Sequence, residues 1–407
     1  MFGYKDNSSI KQRFIFSPLG NLFLKNKDDS VKRSKIFLSM LWAIQFMHPH
    51  SGTRDSINLH PFRLVYKLLL DKRLEGKLFS KEVSYILVFV ETINDEKYEE
   101  LVADILAFRQ LTNSEVVAKF TEDRHVYVNS LYEWDYYTTT VLENEGVLDI
   151  SIGEQIGRLK HGNTETYRKI TTNYVTIPDD LKPFVEKMMD EYKYNAPVIN
   201  LADENRLKID AIKELYSFYP ETLLRDIGEY DEEIQNILDL PKLIDQYSNN
   251  NEGEEAYLFE DILEEGFNNF FNVEAKKIGG AGNTDLECLY LTEDKKFAVD
   301  AKSTKNKLSN INAGRLNRHR EKIGGKYTIV VTSRYVPAIK HDIAGSVIVV
   351  LLASTFSEYL YHNIVNNIRK IDYKDIDEII ESNLGKDVSN LVSDLTISRF
   401  GVSSDLS

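Results

Sequence analysis

The sequence predicts an α+β multidomain protein, helical through its N-terminal regions and closing on an α/β domain with a mixed central sheet. Three observations carry that prediction. Apolar residues recur at helical spacing through the first half of the chain; two strand-like runs joined by a polar turn lie near residue 290; and a stretch rich in Asn, Glu and Gly separates the two regimes. At 407 residues there is room for two or three units that each bury a core. The 42% hydrophobic and 28% charged composition is that of a folded soluble protein rather than a disordered one.

Cys288 is the only cysteine, which excludes an intrachain disulfide and the thiolate clusters of structural zinc sites. A reducing, cytoplasmic setting is expected. No apolar run approaches the roughly 20 residues that span a bilayer, and the opening Met-Phe-Gly-Tyr-Lys-Asp lacks a secretory pattern, so no membrane partner is expected. The formal net charge of −14 excludes a protein that coats nucleic acid non-specifically. Locally grouped basic residues still allow a specific nucleic-acid partner.

Residues 1–112 are expected to form a helical unit. Its start, Arg13 to Leu24, reads as a strand, a turn marked by Pro18 and Gly20, and a helix. This resembles the wing and following helix of a winged-helix domain; the helices that would precede such a wing do not occur before it, so the expectation is a partial winged-helix-like domain. Ile36, Phe37, Met40, Leu41, Ile44 and Met47 then give a helical stripe, and Pro61 to Leu70 another. His48, His50 and His60 have no acid at metal-ligand spacing and are read as surface or capping groups.

Residues 113–200 allow a second winged-helix-like unit for DNA binding or linkage. Trp134 to Glu145 reads as a helix stopped by Gly146, and Arg158 to Thr176 as the wing, where Lys160, His161, Arg168 and Lys169 either meet phosphates or form a solvated loop. Residues 201–250 read as a helical linker, and the polar run from Asp245 to Glu255 places the last domain at 251–407.

That last domain carries the chemistry. Thr284 to Leu291 and Lys296 to Ser303 read as two strands, and an even-length hairpin loop puts Leu286, Cys288 and Tyr290 on one face with Phe297, Val299 and Ala301. Asp285, Glu287, Asp300 and Lys302 then share the other face. Three carboxylates are costly to collect unless a cation neutralises them, and hard oxygen ligands beside a lysine suit Mg²⁺. The bland alternative is an exposed hairpin with surface ion pairs worth at most about a kcal/mol each. A glycine-rich approach, Ile278 to Thr284, and a preceding amphipathic helix with Ala256, Phe259, Leu263, Phe267 and Phe270 favour the site. Glu255 and Glu260 border that apolar stripe, and Glu260 is the preferred helix carboxylate. Lys305, Lys307, Arg315, Arg318, His319, Arg320 and Lys322 form the densest basic segment, suited to phosphate contact.

These residues resemble the PD-(D/E)xK nuclease superfamily, with Asp285 matching its first metal-binding acid and Asp300-Ala-Lys302 its (D/E)-x-K element, while Thr284 stands where proline is common. The order of Lys277-Ile-Gly-Gly280, Val299-Asp-Ala-Lys302 and the strand Tyr327 to Ser333 is similar to the cleavage domain of FokI-type type IIS restriction endonucleases, over roughly residues 255–360. The N-terminal region looks more distantly like AlwI-type and related nicking endonucleases. The resemblance implies a PD-(D/E)xK nuclease domain, with Asp285, Asp300, Lys302, Glu260 and Glu287 catalytic and Asp285, Asp300 and Glu260 on the metal. It implies Mg²⁺-dependent hydrolysis of double-stranded DNA to a 5′-phosphate and 3′-hydroxyl, with a homodimer or partner subunit for double-strand cleavage. Two other readings remain open: a DNA-binding or regulatory protein with an inactive nuclease-like domain, and a structure-specific repair nuclease.

Overall fold

In the computed structural model, residues 1–4, 13–48, 56–162, 165–199, 212, 215–250, 256–278, 280, 282–366, 368 and 370–403 are described. The chain divides into two compact units, one made of Met1–Phe2, Phe16–Ala202 and Glu214–Tyr230, the other of Gly3–Ile15, Asp203–Lys213 and Asp231–Ser407.

The first unit is mainly helical. Its helix α1, Ser30–Ala43, starts where the Asp29 carboxylate accepts from the Lys32 N–H, a cap that satisfies one of the open amides of the first turn. Helices α2, Pro61–Leu70, and α3, Asp95–Arg109, join it around a core that includes Ile36, Trp42, Tyr66 and Ile105. His60 is buried at the head of α2, and burial, then Arg63, lowers its pKa to about 4, so it is a neutral structural group. His50 lies outside the described residues.

A second, smaller core in the same unit joins α4, Asn113–Glu122, and α5, Arg124–Tyr132, to a two-stranded ribbon, β1 Gln155–Lys160 and β2 Tyr167–Thr171. A methyl group on Gly157 would stand 2.5 Å from the Val117 side chain, so the ribbon can lie this close to α4 only without a side chain there. The helix expected from Trp134 continues α5 as a π-wound segment, Glu133–Thr138, and an α-helical one, Thr139–Asn144; it stops before Gly146, whose φ is +67°. The stretch expected as a polar wing is this ribbon, followed by Tyr174–Thr176, which leaves it to pair with Leu78–Phe79 and Asp149–Ser151.

The second unit is built on a mixed five-stranded sheet. Its strands are β3 Val273–Lys277, β4 Leu286–Tyr290, β5 Lys295–Lys302, β6 Thr328–Thr332 and β7 Ile348–Leu352, in spatial order β7-β6-β5-β4-β3. β3, β4 and β5 run antiparallel to one another, and β5, β6 and β7 run parallel. The parallel strands β6 and β7 read Thr-Ile-Val-Val-Thr and Ile-Val-Val-Leu-Leu because both faces are covered. One face packs on Phe259, Ile262, Leu263 and Phe267 of helix α7, Ala256–Asn268, and on helix α9, Ala353–Val365. The other face packs on Leu316 of helix α8, Ala313–Lys322, with Ile311, Ile339 and Ile343. Helix α6, Glu232–Asn249, expected as a linker, adds Leu240 and Ile244 to the core of this unit. No described helix is long and apolar enough to cross a membrane.

Candidate active site

Alternation along β4 and β5 decides which side chains meet. The turn between them has four residues, 291–294, and the register pairs Leu286 with Val299 and Cys288 with Phe297, all fully buried on the α7 face. The intervening residues point to the α8 face. Beyond the last paired residues, Asp285 and Asp300 both lie on that side, and the Asp285 Oδ2 accepts from the Ala301 N–H at 2.8 Å. Asp285 sits at the end of a loop that needs left-handed backbone, with φ of +89° at Gly280 and +83° at Gly282.

Lys302, two residues along β5, pairs closely with Asp300 and stands 4.0 Å from Asp285 Oδ2. Asp300 is only 3% exposed, and Val330 flanks it in the parallel register of β6. Burial raises the Asp300 carboxyl above its ordinary value; Lys302 opposes that rise and Asp285 adds to it. Two acids and one ammonium in a half-enclosed place leave the group short of positive charge.

The other expected acids are held elsewhere. Glu287 shares the face of Asp285, but its carboxylate accepts from Lys296 Nζ at 2.5 Å. Glu260 is on α7, which packs against the opposite face, and its carboxylate is 3.2 Å from Lys277 Nζ, which also bonds Asp261 at 2.7 Å. Burial pulls the Lys277 pKa down, and the two acids outweigh it. Glu255 lies outside the described residues. The sequence marked neither Lys277 nor Lys296 as a partner of these acids, although alternation already put Lys296 on the face of Asp300. Among the described residues no three His, Cys, Asp or Glu side chains stand together as a metal-binding group, so the acids that offer oxygen ligands here are Asp285 and Asp300.

The basic segment beside this site is α8 with the loop before it. The Asn312 side chain caps the helix by accepting from the Arg315 N–H at 2.9 Å. Lys305, Arg315, Arg318 and Lys322 are exposed, and Lys307, His319 and Arg320 are half-buried. Arg320 closes the end of the helix by donating to the Gly325 carbonyl at 2.8 Å, and Lys322 donates to the carbonyl of Gly282. His319 is lowered by burial, then by Arg315 and Lys322, with Asp285 acting the other way. In the first unit, Arg168 lies over the Tyr132 ring at 3.7 Å, facing inward, while its register neighbours Lys169 and Arg158 face out.

Two aspartates and a lysine thus meet at the end of the central strand of a mixed sheet, beside a basic helix. Residues 1–192 match the family model of the N-terminal domain of the type II restriction endonuclease HgaI. Over 407 residues, 98% of this chain and 83% of the relative, the sequence is 47% identical to the type II restriction enzyme HgaI of Avibacterium volantium. The chain therefore belongs to the HgaI family of type II restriction endonucleases. Among solved structures, the restriction endonuclease FokI aligns with 95% of this chain and 80% of its own at 11% identity and a TM-score of 0.31. FokI bound to DNA aligns with 95% and 79% at 12% identity and a TM-score of 0.29.

Proposed function

We propose that the second unit is a PD-(D/E)xK cleavage domain and that the chain is a Mg²⁺-dependent DNA endonuclease of the type IIS class, cutting double-stranded DNA to leave a 5′-phosphate and a 3′-hydroxyl. The observation that carries this reading is the convergence of Asp285, Asp300 and Lys302 at the end of the central strand β5. Two carboxylates suit Mg²⁺, which is usually held by one or two acids with water and substrate phosphate completing its octahedron. Burial raises the Asp300 carboxyl and Asp285 adds to the rise, and a divalent cation held between the two acids would favour their charged forms.

When bound, the metal would lower the pKa of a water and draw charge off the phosphate. Asp285 and Asp300 would hold it. The Ala301 N–H fixes the Asp285 carboxylate, so that ligand is aimed before any cation arrives. Lys302 would orient the attacking water and steady the charge that grows on the phosphate oxygens. Exposed Lys305 and Arg318, with half-buried Lys307, would grip the DNA backbone, while Arg315 and His319 share the α8 flank nearer the acids. The outward residues of the β1–β2 ribbon would make a separate phosphate contact in the first unit, the role that a winged-helix reading assigns to its wing. One such site cuts one strand, so a double-strand break would need a second copy or a partner subunit.

Supercoiled plasmid incubated with the protein in Mg²⁺ and in chelator tests the proposal. The expected result is metal-dependent nicking or linearisation that Asp285→Ala or Asp300→Ala abolishes, while both variants still shift DNA in a gel without metal. Cleavage by either variant at near the wild-type rate would remove these acids from the reaction.

A further inference from the structure

The basic helix does not present its charges as one set. Spacing of four and three residues puts Arg315, His319 and Lys322 on a single flank. Buried Leu316 seats the helix on the sheet beside Val330, the register partner of Asp300. Lys322 ties the far end of the flank to Gly282, on the loop that leads into Asp285. The flank therefore runs along the acidic edge. Arg320, on the other flank, spends its guanidinium on the Gly325 carbonyl and Glu321.

Arg315 differs from Arg320 and Lys322, whose side chains are engaged. Its backbone N–H is used by the helix cap, but among the described residues its exposed guanidinium makes no hydrogen bond or ion pair. In a chain with 64 Asp and Glu against 50 Lys and Arg, this guanidinium stays unpaired among the described residues while its charge reaches the buried Asp300. Asp300 is already held by Lys302, and Asp285 by the Ala301 N–H. The Arg315 charge still acts on the buried Asp300 carboxyl and on His319. Its five N–H donors, in a planar fork that matches two phosphate oxygens at once, are thus available on the α8 flank that carries His319 and Lys322.

We propose that Arg315 is a catalytic residue, its guanidinium bound to the non-bridging oxygens of the phosphate being cut rather than to the DNA backbone at large. The proposal rests on the reading of Asp285, Asp300 and Lys302 as the reaction centre. In phosphoryl transfer, charge spreads over those oxygens as the bond breaks, so a guanidinium placed there acts more strongly in the transition state than on bound DNA. Loss of Arg315 should then lower the rate far more than the affinity.

The test compares wild type, Arg315→Ala, Arg315→Lys and Asp285→Ala, each confirmed as folded by circular dichroism. Two numbers are read: the first-strand nicking rate of supercoiled plasmid with enzyme in excess and Mg²⁺ present, and the dissociation constant for the same plasmid without metal. Arg315→Ala is expected to nick about a hundredfold more slowly, with its dissociation constant changed by less than about threefold. Arg315→Lys, which keeps charge without the fork, should recover part of the rate. If Arg315→Ala nicks at the wild-type rate while Asp285→Ala is inert, the assignment of Arg315 falls and the reaction centre stands. Equal losses of rate and affinity would also overturn it, returning Arg315 to backbone contact. An active Asp285→Ala would overturn the centre itself, and Arg315 with it.

Discussion

Asp300 shows what the site costs the fold. Its carboxyl is raised, so the folded chain holds that proton more tightly than the unfolded chain does. Stability linked to a raised carboxyl is present at low pH and declines as pH climbs from the ordinary carboxylate value through the raised one, the reverse of a depressed aspartate. At neutral pH without metal, Asp300→Asn should therefore melt higher than wild type while being inactive in cleavage. Each kcal/mol regained appears as about 2–4 °C in a unit of this size, and the gain should shrink below the ordinary carboxylate range; scanning calorimetry across pH checks both. An Asp300→Asn variant that melts lower at neutral pH would show that its pair with Lys302 outweighs its burial. Asp285, Asp300 and Lys302 were legible in the sequence because strand alternation has a period of two and the core residues between them fix the register. Glu287 was drawn into the same group by that alternation, and the structure gives its carboxylate to Lys296. Glu260 was placed by proximity along an amphipathic helix, and pattern alone could not show that Lys277 rises from the neighbouring strand to meet it.

Among the elements, helix α8 was visible as a run of basic residues, but its division was not. Which flank faces the acids depends on where Leu316 seats, and that depends on the partner strand. The division makes two substitutions in the same helix behave differently. Arg318→Ala, on the exposed side, should weaken DNA binding and reduce the slope of log affinity against log salt by about 0.9. Arg320→Ala should instead loosen the turn at Gly325 and lower the melting temperature. Salt titrations and melting curves on the two variants separate them, and a similar salt slope loss in both would contradict the assignment. The ribbon β1–β2 came from a stretch that read as polar and loop-like, because Gly157 and alternating Arg, Lys and Thr hide the buried pair Leu159 and Ile170. The Glu232–Asn249 helix read as a linker for the converse reason, as its polar end masks the two buried residues that dock it.

For the whole molecule, the proposed reaction centre is a single cluster among the described residues, Asp285, Asp300 and Lys302 at the end of β5. Linearisation of plasmid should then depend on protein concentration and pass through a nicked circle, whereas nicking itself should not need a second copy. A monomer that makes double-strand cuts with no nicked intermediate would contradict that count. The most direct measurement concerns Lys302, whose ammonium links the two acids. Lys302→Met keeps the chain length and removes the charge. Its nicking rate, read with enzyme in excess at saturating Mg²⁺ and with circular dichroism confirming the fold, should fall about a hundred- to a thousandfold, as loss of one preorganised charge at a phosphoryl centre does. A folded Lys302→Met that nicks within about threefold of wild type would make Lys302 an ordinary surface partner and contradict the reaction centre.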